Sequence, residues 1–289
     1  MPPITVEKIM TLDFHYLETP GTRNELLEAI RKYEVSYFPV VKQGTMEVVG
    51  VVGRFHIMKN PTEIQLALLM EPTVTVKKNE SVITLAKKLI ETEHSKLPIV
   101  DSKNQLKGII SIDDIIRKVI SNKEINIEIQ NYMEKKGITV IWEETPINVA
   151  AKIFVISGQE ALPVINSTGT LSGIISPHDF IKAADVLHTS SKSAMAAGGD
   201  SEVASWDSES ILIIEDRVLS YPNKPVSALM TRKVITTYPE DFLSDAAKKF
   251  RKYDIDQMPV VSVEGEIVGM VTNRNLLRAY LEHELNRKG

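Results

Sequence analysis

One seven-residue pattern occurs four times in this chain and limits its fold more than any other feature. Gly108-Ile109-Ile110-Ser111-Ile112-Asp113-Asp114 is matched almost letter for letter by Gly173-Ile174-Ile175-Ser176-Pro177-His178-Asp179. Gly269-Met270-Val271-Thr272-Asn273-Arg274-Asn275 keeps the chemistry, whereas Gly50-Val51-Val52-Gly53-Arg54-Phe55-His56 has lost both polar positions. In each copy a β-branched run meets an amphipathic segment such as Asp114-Ile115-Ile116-Arg117-Lys118-Val119-Ile120. The polar residues therefore sit where a strand hands over to a helix.

Upstream of each copy lies an apolar-Pro-apolar-apolar strand signal: Phe38-Pro39-Val40-Val41, Leu97-Pro98-Ile99-Val100, Leu162-Pro163-Val164-Ile165 and Met258-Pro259-Val260-Val261. The Pro-to-Gly offset is 11, 10, 10 and 10 residues, so the two signals move as one unit. Turn-rich tetrapeptides such as Asp101-Ser102-Lys103-Asn104 and Asn166-Ser167-Thr168-Gly169 separate them, which predicts strand, turn, strand and helix.

A second helix precedes each pair at helical spacing. Its apolar face is Leu26, Leu27, Ile30 and Tyr33 in the first repeat and Val82, Leu85, Ala86, Leu89 and Ile90 in the second. Val149, Ala150, Ile153 and Phe154 serve the third, and Leu243, Ala246, Ala247 and Phe250 the fourth. Before that helix come a Met-bearing segment (Met10, Met70, Met133, Met230) and a strand such as Val74-Thr75-Val76 or Val234-Ile235-Thr236. Each unit reads as strand, helix, strand, strand, helix, with the Met residues as core filler.

The strand-to-helix junction suits an anionic ligand that carries a sugar. A helix start exposes unpaired backbone N–H groups and the positive end of its dipole, and a Ser or Thr hydroxyl adds a donor for phosphate. A carboxylate three residues on can accept two hydroxyl hydrogen bonds, as from a ribose diol. The same Ser-x-x-Asp spacing also describes an ordinary N-cap. Its repetition in register gives weight to the ligand reading.

Composition narrows the partners. The chain has 289 residues, 43% of them hydrophobic and 25% charged, which is ordinary for a soluble globular protein. A net charge of −4 provides no basic field for nucleic acid. The absence of cysteine excludes disulfides, thiolate metal sites and cysteine nucleophiles. Residues 1–12 lack the apolar core of a signal peptide and no run approaches the length of a spanning helix, so a cytoplasmic location without membrane contact is expected.

Proline strand, Gly-centred strand and Ser/Thr-x-x-Asp, all in register, resemble the CBS domain, named for cystathionine β-synthase. Four copies together resemble archaeal homologues of the AMP-activated protein kinase γ subunit. The resemblance implies an α/β fold in which repeats pair through their sheets into two Bateman modules that assemble as a disc. The expected boundaries are 3–64, 65–124, 127–187 and 224–284, with a linker or insert at 188–223.

The resemblance also implies sites. The carboxylate after the last strand holds ribose, the Ser or Thr before it contacts phosphate, and the base lies against apolar strand residues and backbone. Carried over, Ile109, Ile110, Ser111 and Asp114 form the best site, and Ile174, Ile175, Ser176 and Asp179 the second. Met270, Val271, Thr272 and Asn275 form a weaker third, since Asn carries no charge. The first repeat, with Gly53 and His56 at these positions, is expected to have an empty cleft.

Sensors of the kinase γ type also place basic residues just before the proline strand. Only Lys96 matches; the other repeats carry Ser36-Tyr37, Glu160-Ala161 and Asp256-Gln257 there. By the family's partner-swapped geometry Lys96 approaches the His56 cleft. Arg54, His178 and Arg274 lie inside the motif loops, and Arg117, Lys118 and Lys182 just after them; His178 and Arg274 are carried forward as ligand candidates.

Between repeats three and four, His188 to Ser193 and Ala196 to Ser201 are small and polar, hence linker-like without a fixed backbone. The apolar run Ile211 to Ile214 is expected to dock on the second module. No catalytic constellation is evident. Adjacent Asp113 and Asp114 point in different directions, the six histidines show no metal-ligand spacing, and no nucleotide-binding glycine loop is present.

The expectation is a regulatory protein, not an enzyme, that binds AMP, ADP or ATP between paired repeats and signals to a partner protein, as a monomer or a face-to-face homodimer. A sensor of another adenosyl ligand such as S-adenosylmethionine and a non-binding scaffold are the alternatives. A nucleic-acid role is the remote third.

Overall fold

The computed structural model describes residues 4–92, 94–193 and 212–287. The first repeat consists of β1 (Leu17–Thr19), α1 (Arg23–Tyr33), β2 (Tyr37–Lys42), β3 (Val48–Gly53) and α2 (Arg54–Lys59). After a short α3 (Leu66–Leu69), the second has α4 (Val82–Glu91), β4 (Lys96–Val100), β5 (Leu106–Ser111) and α5 (Ile112–Lys118). The third has β6 (Ile141–Trp142), α6 (Ile147–Ser157), β7 (Leu162–Ile165), β8 (Leu171–Ile175) and α7 (Pro177–Ala183). A hairpin of β9 (Asp185–Ser193) and β10 (Leu212–Ser220) precedes α8 (Leu243–Tyr253), β11 (Gln257–Val261), β12 (Ile267–Thr272) and α9 (Asn273–Asn286) of the fourth.

The four hairpins share one register. The prolines face Val51, Ile109, Ile174 and Met270, the residue after each motif glycine, and a bulge follows two residues later in each proline strand. Turn residues Gly44, Asn104, Gly169 and Gly265 have positive φ, which a tight connection demands.

Those same four residues bridge to a paired repeat. Thr11 of the first repeat pairs with Ile109 of the second, and Glu71 of the second with Val51 of the first. Glu134 and Met270, and Thr231 and Ile174, repeat the exchange between the third and fourth. This crossing explains the glycines. A Cβ on Gly50 would lie 2.7 Å from the Glu71 carbonyl oxygen, and one on Gly108 3.0 Å from that of Thr11. On Gly173 and Gly269 it would meet Met230 Sδ at 2.4 Å and Met133 Sδ at 2.8 Å. The methionines are thus the filler placed over the glycines of the partner repeat.

Sheets join repeats one to two and three to four, while helices join the two pairs to each other. One core merges the helix faces of repeats one and three, including Leu26, Ile30, Phe38, Phe154 and Phe180. A second merges repeats two and four through Leu85, Leu89, Ile115, Ile116, Phe250, Leu276 and Leu277. The alternating strand pattern and the helical apolar stripes place these residues on the covered faces.

Several expectations need correction. The opening strand exists in repeats one and three, but in repeats two and four it shrinks to single bridges at Val76 and Thr237. Val74 and Tyr33 are exposed, and Val149 is also on the surface. Tyr33 instead stacks on His15 with ring centroids 3.6 Å apart. His188 to Ser193 is not backbone without structure: it belongs to β9, whose N–H and C=O groups pair antiparallel with β10 from Leu212 onward. Residues 194–211, with Ala196 to Ser201 and Ile211, lie outside the described residues.

Candidate ligand-binding site

In each repeat the residue three after the motif hydroxyl position caps the following helix. Asp114 Oδ2 accepts from Ser111 N at 2.9 Å and Ser111 Oγ at 2.7 Å, and Asp179 Oδ2 from Ser176 N at 2.8 Å and Ser176 Oγ at 2.9 Å. Asn275 Oδ1 accepts from Thr272 N and Oγ1, both at 2.8 Å. In the first repeat, His56 Nδ1 accepts from Gly53 N at 3.0 Å, so half of the cap survives without the hydroxyl. That bond leaves the proton on Nε2, which points to Glu71 Oε2 at 3.4 Å. No imidazole lone pair remains for a ribose hydroxyl.

The clefts differ in what happens to the second carboxylate oxygen. Asp114 Oδ1 accepts from Lys118 Nζ at 2.7 Å and from Thr11 Oγ1 at 3.2 Å. Lys118 is also tied to the Ile9 carbonyl at 2.6 Å, which holds it over the carboxylate. At Asp179 the residue four positions on is Ala183, and no described residue donates to Oδ1. Asn275 is 4% exposed.

Asp179 opens into a cavity of about 650 Å³ at the centre of the molecule, within the range of small-molecule sites. One end is the Asp179 cleft, with Ile174, Ser176 and His178 on one side and Thr231, Lys233, Val234, Ile235 and Pro259 of the fourth repeat on the other. The His56 cleft opens onto the same cavity, with Glu71, His94 and Lys96 in the lining. The four pairs before the proline strands also line it: Ser36-Tyr37, Ser95-Lys96, Glu160-Ala161 and Asp256-Gln257. The common register brings these pairs to the centre.

Of the candidates from the sequence, Ile174, Ser176, His178, Asp179 and Lys96 line this cavity; Ile109, Ser111, Asp114, Met270, Thr272, Asn275 and Arg274 do not. Ile110, Ile175 and Val271 need correction. All three are fully buried in the helix-side cores, because alternate strand residues face opposite ways, so their side chains cannot border a cleft. Arg274 Nη1 donates to the Leu89 carbonyl at 2.9 Å, which directs it to the end of α4. Arg117 pairs with Asp254, and Lys182 is exposed.

The lining is acidic. Glu71, Asp113, Glu160, Asp179, Asp254 and Asp256 face it, against Arg54, Lys96 and Lys233 as fixed cations. Glu160 is accessible from the cavity yet is walled by protein. This enclosure, with the Asp256 and Asp113 carboxylates nearby and only partly offset by Arg274 and Lys96, pushes its carboxyl up to about 7. Burial also raises the Asp113 carboxyl, despite a hydrogen bond at 3.1 Å from Asn273 Nδ2. In the sequence Glu160 and Asp256 stand out only as missing cations. The signal was their alignment with Lys96. The clue to the closed cleft was the Asp114–Lys118 spacing, which is that of a helical ion pair.

Among the described residues, no helix is long and apolar enough to cross a membrane, and no group of three or more His, Cys, Asp or Glu could hold a metal ion.

Comparison with known proteins agrees with this architecture. An uncharacterized 17.7 kDa protein of Acidianus ambivalens is 37% identical over 116 residues, 39% of this chain and 68% of that protein. Protein MJ1225 of Methanocaldococcus jannaschii is 27% identical over 281 residues, covering 90% of this chain and 92% of its own. Its crystal structure, described as a proposed archaeal homologue of g-AMPK, superposes with a TM-score of 0.76 at 22% identity over 96% of this chain and 100% of that one. A conserved protein of Pyrococcus horikoshii superposes with a TM-score of 0.64 at 28% identity, again over 96% and 100%. The CBS domain pattern matches residues 6–63, 66–121, 129–185 and 226–282, and the chain belongs to the CBS domain family.

Proposed function

We propose that this protein is a ligand-sensing regulator, not a catalyst, and that it binds an adenosyl ligand in the Asp179 cleft. The observation that carries the reading is the contrast in carboxylates: among the described residues Asp179 keeps one oxygen without a donor and opens into the cavity, whereas Asp114 is spent on Lys118 and Thr11. In this reading Asp179 Oδ1 accepts the ribose hydroxyls, Ser176 and His178 lie toward the 5′ end, and Ile174, Val234, Ile235 and Pro259 flank the base. The acidic lining favours a ligand of low negative charge, so AMP is a better fit than ATP.

The same lining gives S-adenosylmethionine as a second reading, because its sulfonium and amine are cations that carboxylates can face. The signal passes through the contact between modules. Residues of α2 and α7 pack together beside the cavity, so a ligand that prefers one arrangement of these helices shifts the population a partner protein reads.

The test is calorimetric titration of AMP, ATP and S-adenosylmethionine into ligand-stripped protein and into Asp179→Ala and Asp114→Ala. One site lost in Asp179→Ala and kept in Asp114→Ala is the expected outcome. Binding that survives Asp179→Ala, or no binding of any of the three, overturns the proposal.

A further inference from the structure

The turn ends of the four hairpins have different surroundings in the two halves of the molecule, repeats one and two against three and four. Beyond its bulge each hairpin closes with one last pair: Val41 with Val48 and Val100 with Leu106 in the first half, Ile165 with Leu171 and Val261 with Ile267 in the second. The turns cross alike in both, through Val48 N to the Asn104 carbonyl at 3.1 Å and Leu171 N to the Gly265 carbonyl at 3.5 Å. In the first half these four residues form a closed apolar cluster, with Phe14 and Met46 packed against it. Phe14 comes from the stretch without helix or strand just before β1. In the second half only Val261 is buried, and Ile165, Leu171 and Ile267 are half-buried. Gly169 stands in place of Met46, four positions before the motif glycine, and residues 135–140 before β6 include no aromatic. Trp142 extends the row. It pairs with Ile165, so the two share a face of the sheet, and it is 52% exposed where the first repeat has Glu18 paired with Val41.

An exposed tryptophan beside an open apolar row has the composition of an interface centre. The surrounding charge says what fits it. The segments that bear the row, 141–146, 165–171 and 261–267, carry Glu143, Glu144, Glu264 and Glu266 and no Lys, Arg or His. The matching segments of the first half mix Glu18, Glu47 and Asp101 with Lys42 and Lys103. A uniformly acidic rim repels nucleic acid and anionic lipid and attracts a basic peptide. The chain's own residues 194–211 carry Asp200, Glu202, Asp207 and Glu209 and no Lys or Arg, so their charge has the wrong sign.

We infer that this face of the third and fourth repeats docks a partner protein through an extended basic segment that lays an aromatic side chain on Trp142, Ile165 and Leu171, as Phe14 packs on the equivalent cluster of the first half. The face lies at the opposite end of β8 from Ser176, so it is separate from the ligand cleft. The inference stands whether or not Asp179 binds an adenosyl group.

The test is selection of linear peptides from a random phage-displayed library on the full chain. Enriched peptides are then titrated by fluorescence polarisation into wild type, Trp142→Glu and the double variant Glu264→Lys with Glu266→Lys. Trp142→Glu copies the first repeat, where Glu18 holds this place, and thermal melting verifies that it folds. Enriched peptides should carry an aromatic residue flanked by Lys or Arg, and should bind Trp142→Glu at least about tenfold more weakly than wild type, as loss of a central tryptophan anchor does. The double charge reversal should weaken them several-fold at low salt, with the gap narrowing as salt rises. Failure to enrich any peptide, enrichment of acidic ones, or affinity that Trp142→Glu leaves unchanged overturns the inference. So does a dimer, seen by sedimentation velocity, that Trp142→Glu dissociates, since a second copy would then occupy the face. Should Trp142→Glu fail to fold, the double variant decides.

Discussion

Asp114 and Asp179 occupy the same place in nearly identical motifs, accept the same pair of bonds from the preceding serine, and end in different chemistry. The difference is two donors, the main one on the next helical turn. Lys118 lies four positions after Asp114 and closes over it, with Thr11 completing the set, while Ala183 at the matching place leaves Asp179 with an oxygen to offer. A motif therefore specifies a cap, and its surroundings decide whether the cap is also a binding site. The carboxylate does not change; its free valence does.

This comparison breaks most readily at the carboxylates. Asp179→Asn should weaken the adenosyl ligand about tenfold or more by removing a charged acceptor, with Asp114→Asn within about twofold of wild type, both measured by titration calorimetry. Equal losses would mean that the Lys118 closure opens in solution.

The next effect concerns what the two motifs share. Gly108→Ala and Gly173→Ala place a Cβ 3.0 Å and 3.1 Å from the carbonyl oxygens of Thr11 and Thr231, and each should lose about 1–3 kcal/mol in urea unfolding. Because a Cβ on Gly173 also meets Met230, Gly173→Ala should lose at least as much as Gly108→Ala, and the reverse order would show that Met230 moves aside.

The open cavity also carries a pH signature. The folded-state carboxyl of Glu160 is raised to about 7, so the stability linked to its protonation is fully present below the ordinary glutamate range and lost as pH rises through that value. Glu160→Gln should therefore be more stable than wild type at about pH 8, by about 1 kcal/mol after allowance for screening by cavity water, and equal to it near about pH 4. Parallel melting curves at the two pH values would contradict this.

The smallest effect is the most direct test of the closure. Lys118→Met removes the ammonium from Asp114; because Lys118 is half exposed, stability should fall by no more than about 0.5 kcal/mol. A second, weaker binding step for the same ligand should then appear in the titration. Its absence would assign the closure to Thr11 and the packed backbone.

The repeat, its strand and helix order and the residues of both helix-side cores were legible in the sequence because they follow from periodicity: two for strands, 3.6 for helices. Leu243, Ala246, Ala247 and Phe250 are all buried as their spacing required. Where local signal was thin the reading missed. Val76 and Thr237 make single bridges where strands were expected, and the polar run His188 to Ser193 is held in β9 by partners 19 to 29 residues away.

The site divides along the same line. Chain order alone marked the cap residues, the glycines and the special place before each proline. It could not show that a glycine is required because a partner repeat's carbonyl crosses it, nor that four pre-proline pairs meet around one cavity. Nor could it show that Arg54 and Asp179, 125 positions apart, line one cavity. These depend on contacts between segments far apart in sequence, where distance and burial, and not spacing, decide which polar groups are satisfied and which remain free.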